Sequence, residues 1–186
     1  IIQPTPLIQP QTAIVCSGNA FIIAPAISNN QPSQIVPNGT LYSWGNPTSN
    51  PIGLVTGGSA QSNVNGISQV LTIQPPVPPQ FGTLTYTITP SYPVSSSLTC
   101  PGNPFTVTVN VSPIPIVTAF AQFDTICFGS TTTLQANGLP TLSPPTGAYN
   151  WTPIAQISGS AITQIITAAP SATTTYIVTY SLPINL

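Results

Sequence analysis

Proline recurs so often along this chain that few windows remain in which a helix could run uninterrupted. There are 24 prolines in 186 residues, and each one removes a backbone donor and clashes with the preceding helical turn. Between them the sequence alternates. In Phe105-Thr106-Val107-Thr108-Val109-Asn110-Val111 the odd positions are apolar and the even positions polar, the period of a strand with one buried face. Thr, Val, Ile and Tyr fill these stretches, residues that suit a pleated, half-buried surface. The good helix formers Lys, Arg, Glu and Met are absent. The pattern predicts an all-β chain with essentially no helix.

Proline and 13 glycines also raise disorder as a reading. Disordered chains are poor in β-branched and aromatic residues and rich in charge, the reverse of what stands here. Alternation predicts strands near Thr12–Cys16, Ala20–Ile23, Thr40–Trp44, Val70–Ile73, Thr83–Thr89 and Phe105–Val111, then near Ile116–Ala121, Thr131–Ala136, Tyr149–Trp151, Ile162–Ile166 and Thr174–Tyr180.

Charge is almost missing: the chain has no Lys, Arg or His, and Asp124 is its one acid. General acid–base catalysis needs a titratable group, usually paired, and a nucleophilic Cys or Ser needs a basic partner. Neither can be assembled, so no enzyme and no catalytic residue is expected. Calcium sites in β modules draw on several carboxylates, and the cysteines have no ligand-spaced partners, so no metal or cofactor is expected. Nucleic acid and anionic lipid are held by Lys and Arg; neither is an expected partner. No apolar run approaches the roughly 18 residues that span a bilayer, which argues against membrane insertion. Ile1-Ile2-Gln3-Pro4 has no initiator Met and no basic segment ahead of an apolar one; the expectation is a chain that begins inside a longer polypeptide.

Landmarks repeat along the sequence. Cys16-Ser-Gly answers Cys127-Phe-Gly, Tyr42-Ser-Trp44 answers Tyr149-Asn-Trp151, and Thr85-Tyr86 answers Thr175-Tyr176. Trp44 and Trp151, matched on central strands, are expected in the cores rather than on a sugar-binding face; Phe81 and Tyr92 are expected in loops. Between Trp44 and Tyr86 the spacing is longer than between Trp151 and Tyr176, so the first module carries a central insertion, with Thr56-Gly-Gly-Ser59 as a loop and Pro75-Pro-Val-Pro-Pro79 as a corner. The paired prolines of Ser112-Pro113-Ile114-Pro115 favour a stiff connection. The predicted organisation is a linker over residues 1–11, one module over 12–112 and a second over 113–186. Cys, then Trp, then Tyr is the order of immunoglobulin-like sandwiches. Here the second cysteine departs from that order, because Ile88 stands two residues after Tyr86 and Cys100 comes later. A Cys16–Cys100 disulfide would close a loop of about 84 residues and contribute on the order of 4 kcal/mol, leaving Cys127 unpaired. With the strand pattern and the Thr/Ser/Asn/Gln-rich surface, an oxidising extracellular setting follows.

At Cys16-Ser-Gly-Asn-Ala-Phe21, Tyr42-Ser-Trp44, Leu84-Thr-Tyr86-Thr-Ile-Thr-Pro90, Cys100-Pro-Gly-Asn-Pro-Phe105, Asp124-Thr-Ile-Cys127-Phe-Gly, Tyr149-Asn-Trp-Thr-Pro153 and Pro170-Ser-Ala-Thr-Thr-Thr-Tyr176, the chain resembles the PKD-like and immunoglobulin-like repeats of giant adhesins exported by type IX secretion in gliding and predatory bacteria. The resemblance implies two tandem PKD-like sandwiches and a cell-surface location. It also implies adhesion or fibre building, with neighbouring modules, a homo-oligomer or filament, or surface glycans as partners. The second module departs from it by stopping at Ser181-Leu-Pro-Ile-Asn-Leu186 without a Gly-Cys segment and closing strand, so its last strand is expected to be missing. In such proteins Asp124-Thr125-Ile126 resembles an O-glycan acceptor at Thr125, although an Asp in a turn is the plainer reading. Asn38, Asn110 and Asn150 each head an Asn-X-Ser/Thr match of the sort that a Thr-rich chain produces by chance. Two functions follow: a structural segment giving reach and toughness, or a glycan- or surface-binding module that uses the insertion as its contact face.

Overall fold

The computed structural model describes residues 4–26, 28–31 (backbone), 34–74, 79–95, 98–141 and 147–183. Its strands are β1 (Gln11–Cys16), β2 (Ala20–Ile23), β3 (Ser28–Gln31), β4 (Gln34–Val36), β5 (Leu41–Trp44), β6 (Thr48–Asn50), β7 (Val55–Thr56), β8 (Gln61–Val64), β9 (Ile67–Val70), β10 (Thr72–Ile73), β11 (Gly82–Pro93), β12 (Thr99–Pro101), β13 (Phe105–Ser112), β14 (Ile116–Ala121), β15 (Thr132–Leu139), β16 (Ala148–Thr152), β17 (Ile157–Ser158), β18 (Ile165–Ala168) and β19 (Ile177–Ser181). Among the described residues there is no helix, as the prolines and the alternation require. The fold is all-β, built of immunoglobulin-type sandwiches, in two units: Ile1–Pro76 with Gln80–Pro113, and Val77–Pro79 with Ile114–Leu186.

In the first unit the main sheet runs β1-β13-β11-β5-β8, with β6 and β12 also pairing with β11. Thr–apolar alternation drives it. Leu84, Tyr86 and Ile88 of β11 and Phe105, Val107, Val109 and Val111 of β13 all point into the core, each aliphatic one stabilising the unit by about 1.5–3 kcal/mol. Phe21 and Ile23 of β2 and Ile67 of the antiparallel β9 form the facing layer. The predicted strand Val70–Ile73 is divided between β9 and β10, because the chain changes partners there: β9 pairs with β2 and β10 with β7. Residues 1–11 do not behave as a linker throughout: Pro6 and Ile8 are buried in this core, and Leu7 and Ile35 exchange backbone hydrogen bonds of 2.8 and 2.7 Å. The apolar Leu7-Ile8 pair is what draws the segment in.

The second unit is smaller. β14-β15-β18-β17 form one sheet and β16-β19 the other, with Leu134, Ala136, Ile166 and Ala168 facing Trp151. Strand β18 begins three residues later than the predicted Ile162, because the chain turns at Ala161–Gln164, where Thr163 presents its carbonyl to the indole of Trp151.

Candidate functional site

The repeated landmarks have the same structural roles in both units. In Cys16-Ser-Gly18-Asn19 the Asn19 amide donates to the Cys16 carbonyl at 3.0 Å, and Gly18 has φ +89°. In Cys127-Phe-Gly129-Ser130 the Ser130 amide donates to the Cys127 carbonyl at 3.0 Å, and Gly129 has φ +81°. A tight turn with a left-handed third residue accounts for the glycine. Each cysteine opens that turn with its backbone.

The predicted Cys16–Cys100 disulfide is therefore replaced by free thiols at all three cysteines. The reason is topological. Strand β1 lies parallel to β13 and sets Cys16 opposite Ser112, at the end of β13 that adjoins Gly82 of β11. Cys100 on β12 faces Tyr92, near the other end of β11. The span from Gly82 to Tyr92 is roughly 30 Å of strand, whereas a disulfide needs Cα atoms within about 7 Å. Cys127 is exposed in the connection between β14 and β15. Thr125 lies exposed beside it, as does Asp124. Asn38 and Asn150 are exposed, the latter within β16, and Asn110 is partly covered in β13. Phe81 and Tyr92 are both partly buried, and Tyr92 is part of β11 rather than a loop.

Both tryptophans are core residues, 5% and 1% exposed, and both indoles donate 2.9 Å hydrogen bonds to backbone carbonyls, Trp44 to Ser59 and Trp151 to Thr163. Register extends the equivalence. Trp44 stands opposite Ile88 and Trp151 opposite Val178, so Tyr86 and Tyr176, each two residues earlier, correspond. Ile23 pairs with Ile67 and Leu134 with Ile166; hence Phe21 corresponds to Thr132, and Gln69 to Ala168.

Those two exchanges change the chemistry around the tyrosine. In the first unit the Tyr86 ring lies edge-on to Trp44, at 6.1 Å between centroids, and 5.5 Å from Phe21; its hydroxyl donates to Gln69 Oε1 at 2.9 Å, and burial pushes its pKa well above the ordinary value. In the second unit Thr132 lines a groove of about 450 Å³ between the Phe123–Phe128 loop and the Pro170–Thr174 loop, with Tyr176 in its wall, and the fully buried Ala168 offers no side-chain acceptor. The Tyr176 hydroxyl is buried and has no hydrogen-bond partner among the described residues. Sequence matching pairs the tyrosines; the loss of the acceptor becomes visible only once the strands are in register.

A second groove of about 640 Å³ in this unit is lined by Tyr149, Tyr180, Asn137 and Gln164. The two rings are 4.9 Å apart; Tyr149 accepts from the Gly138 amide at 3.1 Å and Tyr180 donates to the Pro140 carbonyl at 2.9 Å. Gly138 and Gly147 have no room for a side chain because the Tyr180 ring lies against them. Burial, and then Tyr149, push the Tyr180 phenol up. Among the described residues no three His, Cys, Asp or Glu side chains gather as a metal site, and no helix is long and apolar enough to cross a membrane.

No protein of curated function matches the chain. Among solved structures, the CsuC–CsuE chaperone–tip adhesion subunit pre-assembly complex from the archaic chaperone-usher Csu pili of Acinetobacter baumannii aligns over 95% of this chain and 99% of its own, at 11% identity and a TM-score of 0.31, a loose likeness. The family model of the PKD-like domain matches residues 13–115, more than half of the 186. The chain belongs to the PKD-like domain family.

Proposed function

We propose that this chain is a non-catalytic structural repeat segment of a secreted cell-surface adhesin or extracellular filament, of the kind exported by type IX secretion in gliding or predatory bacteria, in which tandem PKD-like sandwiches give reach and mechanical stability. The observation that carries this reading is the shared register of the two cores. Trp44 and Trp151, Tyr86 and Tyr176, and both Cys-X-Gly turns are all used in building a module and then repeating it. The side chains best able to do chemistry or to stack on a ligand are in this way committed to packing. With one acid and no basic residue, neighbouring copies would neither repel nor depend on salt, which favours assembly through Thr-rich faces.

A second reading, a glycan-binding module, draws on the paired Tyr149 and Tyr180 rings beside Asn137 and Gln164. Electron microscopy of the purified chain together with a glycan array tests both. Polymers without glycan binding are expected; specific glycan binding by isolated, unassembled chains would reverse the order of the two readings.

A further inference from the structure

The dipeptide Asn-Gly occurs three times, at Asn38-Gly39, Asn65-Gly66 and Asn137-Gly138. It is a reactive pair: the backbone nitrogen that follows an asparagine can attack the side-chain carbonyl carbon, and glycine, having no Cβ, leaves that approach open. Sequence makes the three alike, and the fold separates them. Asn38 and Gly39 are the exposed centre of a turn that the Thr40 amide closes on the Pro37 carbonyl at 3.1 Å. Asn65 and Gly66 are the exposed bend between β8 and β9. Among the described residues neither glycine's amide has a hydrogen-bond partner. Gly138 is buried within β15 and its amide donates to the Tyr149 hydroxyl at 3.1 Å, while Asn137 Oδ1 accepts from Gln164 Nε2 at 3.3 Å. There both the nucleophile and the group it would attack are held.

We propose that Asn38 and Asn65 are sites of spontaneous deamidation, and that Asn137 is protected from it by the strand in which it stands. In each reaction the glycine nitrogen bonds to the asparagine Cγ and gives up its proton, the Cγ–Nδ2 bond breaks, and ammonia leaves with that proton, so that a cyclic imide remains. Water then opens the ring at either carbonyl, yielding aspartate or isoaspartate. Solvent water is the only co-reactant, and nothing is oxidised or reduced. The two turns adjoin: β5 begins just after the first, and its Tyr42 stands opposite Val64, just before the second. Carboxylates therefore accumulate at one end of the first unit, in a chain whose formal charge is −1 and which has no basic side chain to offset them. Like charges make an aged copy repel another where a new one does not. The inference stands whether or not the chain belongs to a surface appendage.

The test incubates the full chain at physiological temperature and pH, either folded or in denaturant, and then cuts it with pepsin, since there is no Lys or Arg for trypsin. Peptide masses locate each change of amide to acid, and an isoaspartate methyltransferase counts the rearranged product. In denaturant the three sites are expected to convert at comparable rates, because their local chemistry is the same. In the folded chain Asn38 and Asn65 should keep those rates, whereas Asn137 should slow by about tenfold or more, since its strand must open before the ring can close. Gly66→Ala, at a position where an added Cβ meets open space, should slow Asn65 by about tenfold and leave Asn38 unchanged. Equal conversion of all three sites in the folded chain would overturn the proposal, as would intact Asn38 and Asn65 amides in the folded chain while the denatured chain converts. Undiminished conversion of Asn65 in Gly66→Ala would overturn it too, because attack by the glycine nitrogen would then not be the route.

Discussion

Tyr86 and Tyr176 occupy the same place in two copies of one architecture, yet one is sealed and the other is not. Tyr86 has Phe21 beside it, Gln69 to accept its proton and Val107 opposite it. Tyr176 has Thr132 and Ala168 in place of the first two, and among the described residues no strand in place of the third. The comparison teaches that a repeated sequence landmark preserves backbone register while the environment of its side chain depends on what the neighbouring strands bring.

The largest effect that could break this comparison is removal of the indoles. Trp44→Ala and Trp151→Ala should each cost about 3–5 kcal/mol. In the second unit, with its small core around Leu134, Ala136, Ile166 and Ala168, Trp151→Ala is expected to abolish cooperative folding, whereas Trp44→Ala should leave the first unit destabilised but folded. Hydrogen exchange resolved by unit would separate them, and equal consequences would mean that the cores are not so unequal. Next, Tyr86→Phe should cost about 1 kcal/mol by removing one of the two donors to Gln69 Oε1, the Ser59 amide remaining at 3.1 Å, while Tyr176→Phe should be neutral within about 0.5 kcal/mol. Denaturant midpoints of the two variants give this directly. Cys16→Ser and Cys127→Ser should each change stability by less than about 0.5 kcal/mol, and thiol labelling of the unreduced chain should count three free cysteines. A single reactive thiol would restore the disulfide and break the topology of the first unit. The smallest effect is expected from pH across the neutral range, where the chain has no His to titrate. Tyr86 has its pKa raised by folding, so the stability it contributes is present below the ordinary tyrosine value of 10.0 and is lost as pH rises beyond it. Thermal melts followed upward from neutral pH should be flat and then fall at the alkaline end.

Much of the fold was legible. Alternation in Phe105–Val111 located β13, because one buried face imposes its period on the sequence whatever the partner strands are; β14 also lies at Ile116–Ala121, although nearly all of it is exposed. The Trp and Tyr landmarks marked the cores. The insertion, in which Thr56-Gly-Gly-Ser59 reads as a loop and the Pro75–Pro79 corner lies outside the described residues but for Pro79, also holds β6, β7 and β8, short strands that take their geometry from pairing with β11, β10 and β5. The Cys16–Cys100 expectation failed on a similar point: two cysteines flanking a sandwich in sequence meet only if their strands run in suitable directions, and the parallel β1–β13 pairing sends Cys16 to the far end of the sheet. The candidate groove at Tyr176 was not legible, since it forms where two loops far apart in the chain, Phe123–Phe128 and Pro170–Thr174, flank Thr132.

What the sequence determined by itself is the class of molecule: the prolines exclude helices, the alternation fits sandwiches, the side chains carry a single acid and no base, and the repeated landmarks mark two modules. These are local and compositional properties, and they need no knowledge of neighbours. Tertiary structure alone decided which cysteines can meet and which tyrosine is sealed, because each depends on the direction and register of strands far apart in the chain, and a residue's own sequence context carries no record of those.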